Sequence, residues 1–411
     1  MATPFYDSIV ASIDVGTTKI SVLVAKQRSS GLLEIIAIGR APSHGLKKGV
    51  VVDVAKTVQS ISQAIQEAQL MAGMPISRAA VGISGGHIRS FNSHGVVPIK
   101  TGQVTQYDMA NVLASAKAVP LEQGHHILHV LPQFFTIDTH ERVHNPLGMK
   151  GIRLEVQAHV IAGALSSVHN LITCCNQAGV QVSDIILEQL ASADAVLSPD
   201  EKELGVGVLD IGGGTSDFAL YQHDAIRHTM VLPVAGNHFT QDIAIGLRTT
   251  LCDAERIKKE YGVCYAPLLH DDEPVNVCDV DGQTTHAVKR SALLNILHAR
   301  GNELLILIAQ EVDQYHLRSF MPAGLVLTGG GSLLYGMKEL AAFLFKVPVR
   351  IGVPSVNFEL PQTLCSPIYA TGYGLLLYST KQRQLLLGNE SANPVLKRIL
   401  QRMKSWVSDF F

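Results

Sequence analysis

Two stretches of this chain, half its length apart, spell nearly the same sequence. The first is Ile13-Asp14-Val15-Gly16-Thr17-Thr18-Lys19-Ile20-Ser21-Val22-Leu23-Val24, and the second is Leu209-Asp210-Ile211-Gly212-Gly213-Gly214-Thr215-Ser216-Asp217-Phe218-Ala219-Leu220. Each is an apolar run, an acidic residue, a Gly/Thr turn and a second apolar run. The pattern predicts a β-hairpin with a bare tip and one carboxylate at its base. Glycines let backbone N–H groups approach phosphate oxygens, and Thr17, Thr18 and Thr215 add hydroxyl donors. Two such tips facing each other would clamp a polyphosphate, with Asp14 and Asp210 placed to hold a hydrated divalent cation. One Gly-rich hairpin alone is commonplace; a matched pair, one per half-chain, favours the clamp.

A chain of 411 residues is too long for a single core, so two domains or two pseudo-equivalent halves are expected. Apolar residues make up 47% and charged residues 17%, which places most of the chain in folded structure. A net charge of −2 with no basic stretch in the body argues against nucleic acid as the main partner. Cys174, Cys175, Cys252, Cys264, Cys278 and Cys365 show no metal-ligand spacing and read as reduced core thiols of a cytosolic protein. The start, Met1 to Asp7, has no secretion-signal pattern, and no window approaches ~20 uncharged apolar residues, so no membrane span is expected.

Residues 8–26 and 32–40 are β-rich, and Val50-Val51-Val52-Asp53 leads into a helix from about Val54 to Met71. Val54, Val58, Ile61, Ile65 and Ala68 give that helix a buried stripe. A strand follows at Ala79 to Ser84, and the same order recurs after Asp210, as an internal duplication would give. Residues 85–160, with Pro98, Pro120, Pro132 and Pro146 among several short strands, read as an inserted subdomain. In the second half, a helix begins near Ala235 to His238, a charged one spans Cys252 to Lys259, and a mixed insertion runs to about Arg300. An apolar helix from Leu304 to Leu317 then precedes the strand Leu325 to Leu327, the turn Thr328 to Ser332 and a helix from Met337 to Phe345. A strand emptying into glycines leaves bare backbone against which a ring or phosphate can lie. Alone, such a turn more often only joins strand to helix.

The last residues carry a separate signal. Residues 379–394 are mostly polar, with Gly388 and Pro394, and read as a linker. In 395–411, Val395, Leu396, Ile399, Leu400, Met403, Trp406, Val407, Phe410 and Phe411 recur at helical spacing, with Lys397, Arg398, Arg402 and Lys404 off that face. The stretch is too charged and short to span a bilayer and has the make-up of a helix lying in its surface. A terminal helix docked on the protein's own core would show a similar stripe.

The three Gly-rich motifs, in this order, resemble phosphate 1, phosphate 2 and adenosine of the actin, Hsp70 and sugar-kinase superfamily. Within it the chain is most similar to the FtsA family of bacterial cell-division proteins. That likeness rests on Ile83-Ser84-Gly85-Gly86-His87-Ile88, Gly95-Val96-Val97-Pro98-Ile99, His129-Val130-Leu131-Pro132-Gln133 and Asn145 to Arg153. Leu190-Ala191-Ser192, Ala235-Gly236-Asn237, Thr240 to Ala244 and the tail extend it. The resemblance covers essentially the whole chain, and it implies an α/β, actin-like ATPase fold. The two halves would be 1–84 with 161–205 and 206–248 with 301–378, around a nucleotide cleft. Residues 85–160 would be the inserted assembly subdomain, 249–300 the second-half insertion, 379–394 the linker and 395–411 the membrane-targeting helix.

The resemblance also implies roles. ATP phosphates would be held by Gly16, Thr17, Thr18, Lys19, Gly212, Gly213, Gly214 and Thr215, and Mg²⁺ by Asp14 and Asp210 through water. Gly236, Asn237, Glu255, Lys258, Gly329, Gly330, Gly331 and Ser332 would line the adenosine. Glu255 and Lys258 share a helix face, which an exposed ion pair would explain equally well. Glu188 falls where some relatives polarise the attacking water, with a solvent-facing carboxylate as the alternative, and the ATPase activity implied is weak. Arg300, Asn302 and Glu303 would meet the C-terminal peptide of the tubulin-like protein FtsZ, unless Arg300 is an ordinary exposed arginine at a helix start. Leu396, Ile399, Leu400, Met403, Trp406, Val407, Phe410 and Phe411 would enter anionic lipid. The function implied is a self-polymerising adaptor that recruits later division proteins at the cytoplasmic face of the inner membrane, at the division site. An actin-like pilus-assembly ATPase and a sugar-kinase-type phosphotransferase are the alternatives, and fold alone does not separate them. A soluble kinase would have no use for the tail.

Overall fold

The structure, a computed structural model, describes residues 9–28, 32–354 and 360–387. Its first half opens with β1 (Ile9–Val15), β2 (Lys19–Gln27) and β3 (Leu33–Pro42), a small ribbon of β4 (Leu46–Lys47) and β5 (Val50–Val51), then α1 (Val54–Ala72) and β6 (Arg78–Ile83). Asp53 caps α1 by accepting the Lys56 N–H, and Gly73 ends it in the left-handed region. The buried stripe of α1 is Ile61, Ala64, Ile65 and Ala68 with Thr57 and Ser60, whereas Val54 is exposed.

The inserted module follows: β7 (Arg89–Pro98), α2 (Gln106–Lys117), β8 (His125–Ile137), β9 (His140–Val143) and β10 (Arg153–Ala164). Its strands pair in the order β7-β10-β8-β9. Several are longer than the prolines suggest. Pro132 sits inside β8 where the pairing with β10 skips Gln133, so a bulge absorbs the missing N–H. The chain returns through α3 (Leu165–Gln177), β11 (Gln181–Leu187), α4 (Glu188–Val196) and α5 (Pro199–Leu204).

The second half repeats the plan with β12 (Val206–Ile211), β13 (Ser216–Gln222), β14 (Ala225–Leu232), α6 (Gly236–Gly246), α7 (Leu251–Tyr261), the ribbon β15 (Pro274–Cys278) and β16 (Thr285–Lys289), α8 (Arg290–Gln314), β17 (Leu325–Thr328), α9 (Met337–Phe345), β18 (Val349–Ile351) and α10 (Ala370–Leu387). The two main sheets run β3-β2-β1-β6-β11 and β14-β13-β12-β17-β18. In each, an antiparallel hairpin continues into parallel strands, so the duplication extends to topology. One hydrophobic cluster reaches from the first sheet to Val206, Val208, Ala219 and Val326 of the second, joining the halves through a common core.

Further sequence expectations need correction. The boundary at residue 300 cuts α8, because Gly301 is a helix-interior glycine packed near Leu340 and Phe239 rather than a break. By length and composition α8 is long and apolar enough to cross a bilayer, yet its leucine face packs within the second-half core. Residues 379–387 continue α10 instead of opening a linker: Ser379 and Thr380 are buried, and Lys381 pairs with Asp194 at 3.0 Å. Cys252 and Cys365 are exposed, while Cys174, Cys175 and Cys264 are buried. The rest of the linker and the tail, residues 388–411, lie outside the described residues.

Candidate functional site: the cleft between the hairpins

The first hairpin turns where the Gly16 N–H donates to the Lys19 carbonyl (3.1 Å), and the second where the Gly212 N–H donates to Thr215 (2.9 Å). The tips meet. Thr18 Oγ1 donates to Asn237 Oδ1 (3.3 Å). A Cβ built on Gly213 would fall 1.9 Å from Thr18 Oγ1, and one on Gly214 2.3 Å from Thr17 Oγ1, so this approach requires bare backbone. The second tip also starts α6, since the Gly236 and Asn237 N–H groups donate to the Gly212 and Gly213 carbonyls at 3.0 and 2.8 Å. Beside the tips lies a cleft of about 680 Å³.

The end of the cleft at the hairpin bases is acidic. Asp14 accepts from Ser21 Oγ (3.2 Å), with Lys19 Nζ at 3.9 Å. Asp210 accepts from Ser192 Oγ (2.5 Å) and Thr371 Oγ1 (3.0 Å). Burial raises the pKa of both carboxyls; Lys19 and Ser21 oppose it at Asp14, and the two hydroxyls oppose it at Asp210. Asp217, opposite Asp210 on β13, accepts from Ser84 Oγ of the first half (2.5 Å), and burial raises its pKa to about 7. Glu188 begins α4 half-buried in the cleft wall, so it is not the solvent-facing carboxylate of the alternative reading. Burial, then the charges of Asp14, Asp217 and Asp210, hold its pKa well above the usual range.

Among the described residues, no three His, Cys, Asp or Glu side chains converge as a direct metal-ligand set. The donors fit Mg²⁺ in another manner. That ion keeps several waters and takes one or two carboxylates together with phosphate oxygens, and Asp14 and Asp210 offer that pair. Lys19 lines the same end. Its Nζ donates to the Ile368 carbonyl (2.9 Å) and lies 4.5 Å from the centre of the Tyr369 ring; burial lowers its pKa.

At the other end, Glu255 and Lys258 pair at 2.6 Å. Both bond to Thr240 of α6, at 2.5 and 2.8 Å, and Lys258 also donates to the Gly236 carbonyl (3.1 Å). This is a tethered pair, since the Lys258 side chain is only 14% exposed. Burial lowers the Lys258 pKa. At Glu255 the upward push of burial is outweighed by hydrogen bonds from Lys258 and Thr240, and its pKa falls.

The third Gly-rich turn closes the cleft. Gly329 has φ +77°, and a Cβ there would lie 2.2 Å from Asp210 Oδ1. A Cβ on Gly330 would meet nothing nearer than Ile368 Cγ1 at 3.9 Å, because Gly330 faces open space. Ser332 is buried, donates to the Gly329 carbonyl (2.7 Å) and braces the turn rather than lining the cleft.

Arg300 lies within α8, not at a helix start, and is already committed. Its Nε and Nη2 donate to the Asp242 carboxylate of α6 at 2.5 and 2.9 Å, and its Nη1 bonds to Glu303. Glu303 is exposed and Asn302 half-buried beside it. Leu396, Ile399, Leu400, Met403, Trp406, Val407, Phe410 and Phe411 lie outside the described residues.

Sequence reasoning missed Asp217, Thr371, Ile368 and Tyr335, all of which line the cleft. Asp217 could have been found: it stands where the first hairpin carries Ser21, a charge in an otherwise apolar strand. Tyr335 lies between the Gly-rich turn and α9, and Ile368 in a short 3-10 turn that leads into α10, and neither carries a local signal.

Comparison with known proteins agrees with this architecture. A model of the cell division protein FtsA matches residues 207–374, and one of the SHS2 domain inserted in FtsA matches residues 85–162. The cell division protein FtsA of Pseudomonas aeruginosa is 43% identical, with 100% of each chain covered. That of Escherichia coli K12 is 37% identical over 97% of this chain and 96% of its own. Among solved structures, a chain of the PilM-PilN type IV pilus biogenesis complex aligns with a TM-score of 0.65 at 18% identity, covering 90% of this chain and 98% of that one. MreB5 of Spiroplasma citri bound to ADP aligns with a TM-score of 0.57 at 15% identity, covering 93% and 98%. At such identities the likeness concerns the fold, which is actin-like. Matched from end to end and carrying the inserted module within its first half, the chain belongs to the FtsA family of cell-division proteins.

Proposed function

We propose that this protein binds Mg-ATP in the cleft, polymerises, and holds the FtsZ ring to the cytoplasmic face of the bacterial inner membrane at the division site, recruiting later division proteins. The observation that carries the nucleotide reading is the pair of bare hairpin tips meeting beside one acidic cleft, with the open face of Gly330 in its wall. Backbone N–H groups and hydroxyls of the two tips hold the phosphates, and Lys19 adds a point charge. Glu255 and Lys258 take the ribose, and Gly329 to Gly331 lie along the base. Mg²⁺, when bound, supplies positive charge between phosphates and carboxylates. Glu188 stands in the same cleft wall, where burial and the neighbouring carboxylates raise its pKa, and it is the residue assigned to polarising the attacking water.

The family likeness supports the remaining parts. The inserted module offers a surface for assembly and for later division proteins. The α8 surface at Arg300, Asn302 and Glu303 offers one for the acidic FtsZ C-terminal peptide, which would displace Glu303 from the guanidinium. Residues 395–411 offer an apolar face to anionic lipid.

Replacing Gly330 by Trp tests the nucleotide reading. The side chain would enter the adenosine space, so binding of a fluorescent ATP analogue should fall at least a hundredfold while the melting temperature is kept. A folded Gly330→Trp protein with wild-type affinity would show that the nucleotide does not bind there.

A further inference from the structure

The inserted module places one buried side chain against the start of α4. Strand β11 lies at the edge of the first sheet and ends at Leu187, the residue before Glu188 and the N-cap of α4. That cap makes no side-chain hydrogen bond of its own. Its backbone N–H is instead taken by the module, where His129 Nε2 of β8 accepts it at 3.2 Å. Both residues are buried. His129 is itself firmly held. Leu128 before it and Ile161 opposite it on β10 belong to the main hydrophobic cluster, and Tyr378 of α10 meets its ring edge-on, 6.3 Å between centres.

Leucine would fill this space at lower cost, since burial opposes a charged imidazole and Nδ1 is enclosed with no hydrogen-bond partner among the described residues. What the ring supplies and leucine cannot is an acceptor. Burial lowers its pKa to about 4, so at neutral pH Nε2 keeps a lone pair for the Leu187 N–H while the proton stays on Nδ1. Glu188 follows directly on that amide. It is also confined by β6, where a Cβ on Gly82 would lie 3.1 Å from Glu188 Cγ. We propose that His129 is a positioning residue: by fixing the Leu187 amide it sets where α4 begins, and so where the Glu188 carboxyl group stands towards the attacking water. This rests on the ATP reading of the cleft and on the part given there to Glu188. A misplacement of about 1 Å can slow a reaction by about a hundredfold, so one buried hydrogen bond is enough to matter.

The test is single-turnover hydrolysis of bound Mg-ATP, read beside Mg-ATP affinity in the same variants. His129→Leu should slow the chemical step about tenfold and leave affinity within about twofold. His129→Gln brings an amide oxygen near the position of Nε2 and should recover most of the rate, whereas the shorter His129→Asn should not. That pair gives the same contrast if the leucine variant fails to fold. An unchanged rate in His129→Leu would overturn the proposal, as would a fall in affinity that matches the fall in rate. Equal rates in His129→Gln and His129→Asn would overturn it too, because the acceptor would then not be what matters. A wild-type protein that binds Mg-ATP and never hydrolyses it would overturn the part given to Glu188 and this inference with it. One that binds no Mg-ATP would overturn the ATP reading itself.

Discussion

Among single residues, Asp217 has the clearest consequence for stability. Its pKa is raised to about 7 by burial, while an unfolded chain would hold it near the ordinary 3.8. The folded protein therefore binds more protons than the unfolded one between those values, and stability from this group falls as pH rises from about 4 to 7. Asp217→Asn removes the titration and keeps an oxygen for Ser84. Without nucleotide, the variant should be more stable than wild type at pH 8, by a few kcal/mol at most, with the difference shrinking towards pH 5. Urea denaturation at both pH values checks this; a pH-independent difference would contradict it. The same residue shows why the site was only partly legible. Asp14, Asp210 and the glycines announce themselves as a repeated local pattern, whereas Asp217 matters because a distant hydroxyl, Ser84, reaches it. Arg300 was legible as an arginine and not as a partner of Asp242.

Among elements, the crossing of α4 and α10 is the tightest joint. A Cβ on Gly374 would lie 1.8 Å from the Ala191 carbonyl oxygen, so the helices touch backbone to backbone. These helices also carry Ser192 and Thr371, both bonded to Asp210. Gly374→Val should cost about 1–3 kcal/mol through overpacking and weaken nucleotide binding by moving those hydroxyls. Gly86→Val, where no neighbour stands within 4 Å, is the matched control. Parallel urea melts and ATP titrations would show it; equal behaviour of the two variants would remove the joint from the account. Hairpins and α1 were readable because their signals are local: alternation, a cap, a stripe. The length of α8 and the continuation of α10 were not, since an interior glycine imitates a break and buried hydroxyls imitate a linker. Nor does any local pattern disclose that the module leans on the second half, with Ser90 Oγ donating to the Thr229 carbonyl (2.7 Å) and Gln133 Nε2 to Ile226 (2.7 Å).

For the whole molecule, adaptor function requires one chain to hold lipid and peptide together. Vesicles with anionic lipid, floated with a labelled FtsZ C-terminal peptide, should carry the peptide upward only with wild-type protein. Trp406→Glu with Phe410→Glu should leave protein and peptide in solution, and Arg300→Gln should float without peptide. Salt should weaken flotation only in part, since each cation adds about 1 kcal/mol while the apolar face is insensitive to screening. Equal flotation of the tail variant would dismiss 395–411 as the anchor, and peptide still carried by Arg300→Gln would dismiss that surface. Beyond function, the bond from Ser12 Oγ to the Gly372 carbonyl (2.8 Å) joins residues 360 positions apart, and α10 packs on β1, β2 and β6. β1 is thus seated by a helix made some 360 residues after it. At about 5–20 residues per second of synthesis, one face of the first sheet stays uncovered for some tens of seconds. The amino-terminal sheet therefore waits for α10 before that face is covered.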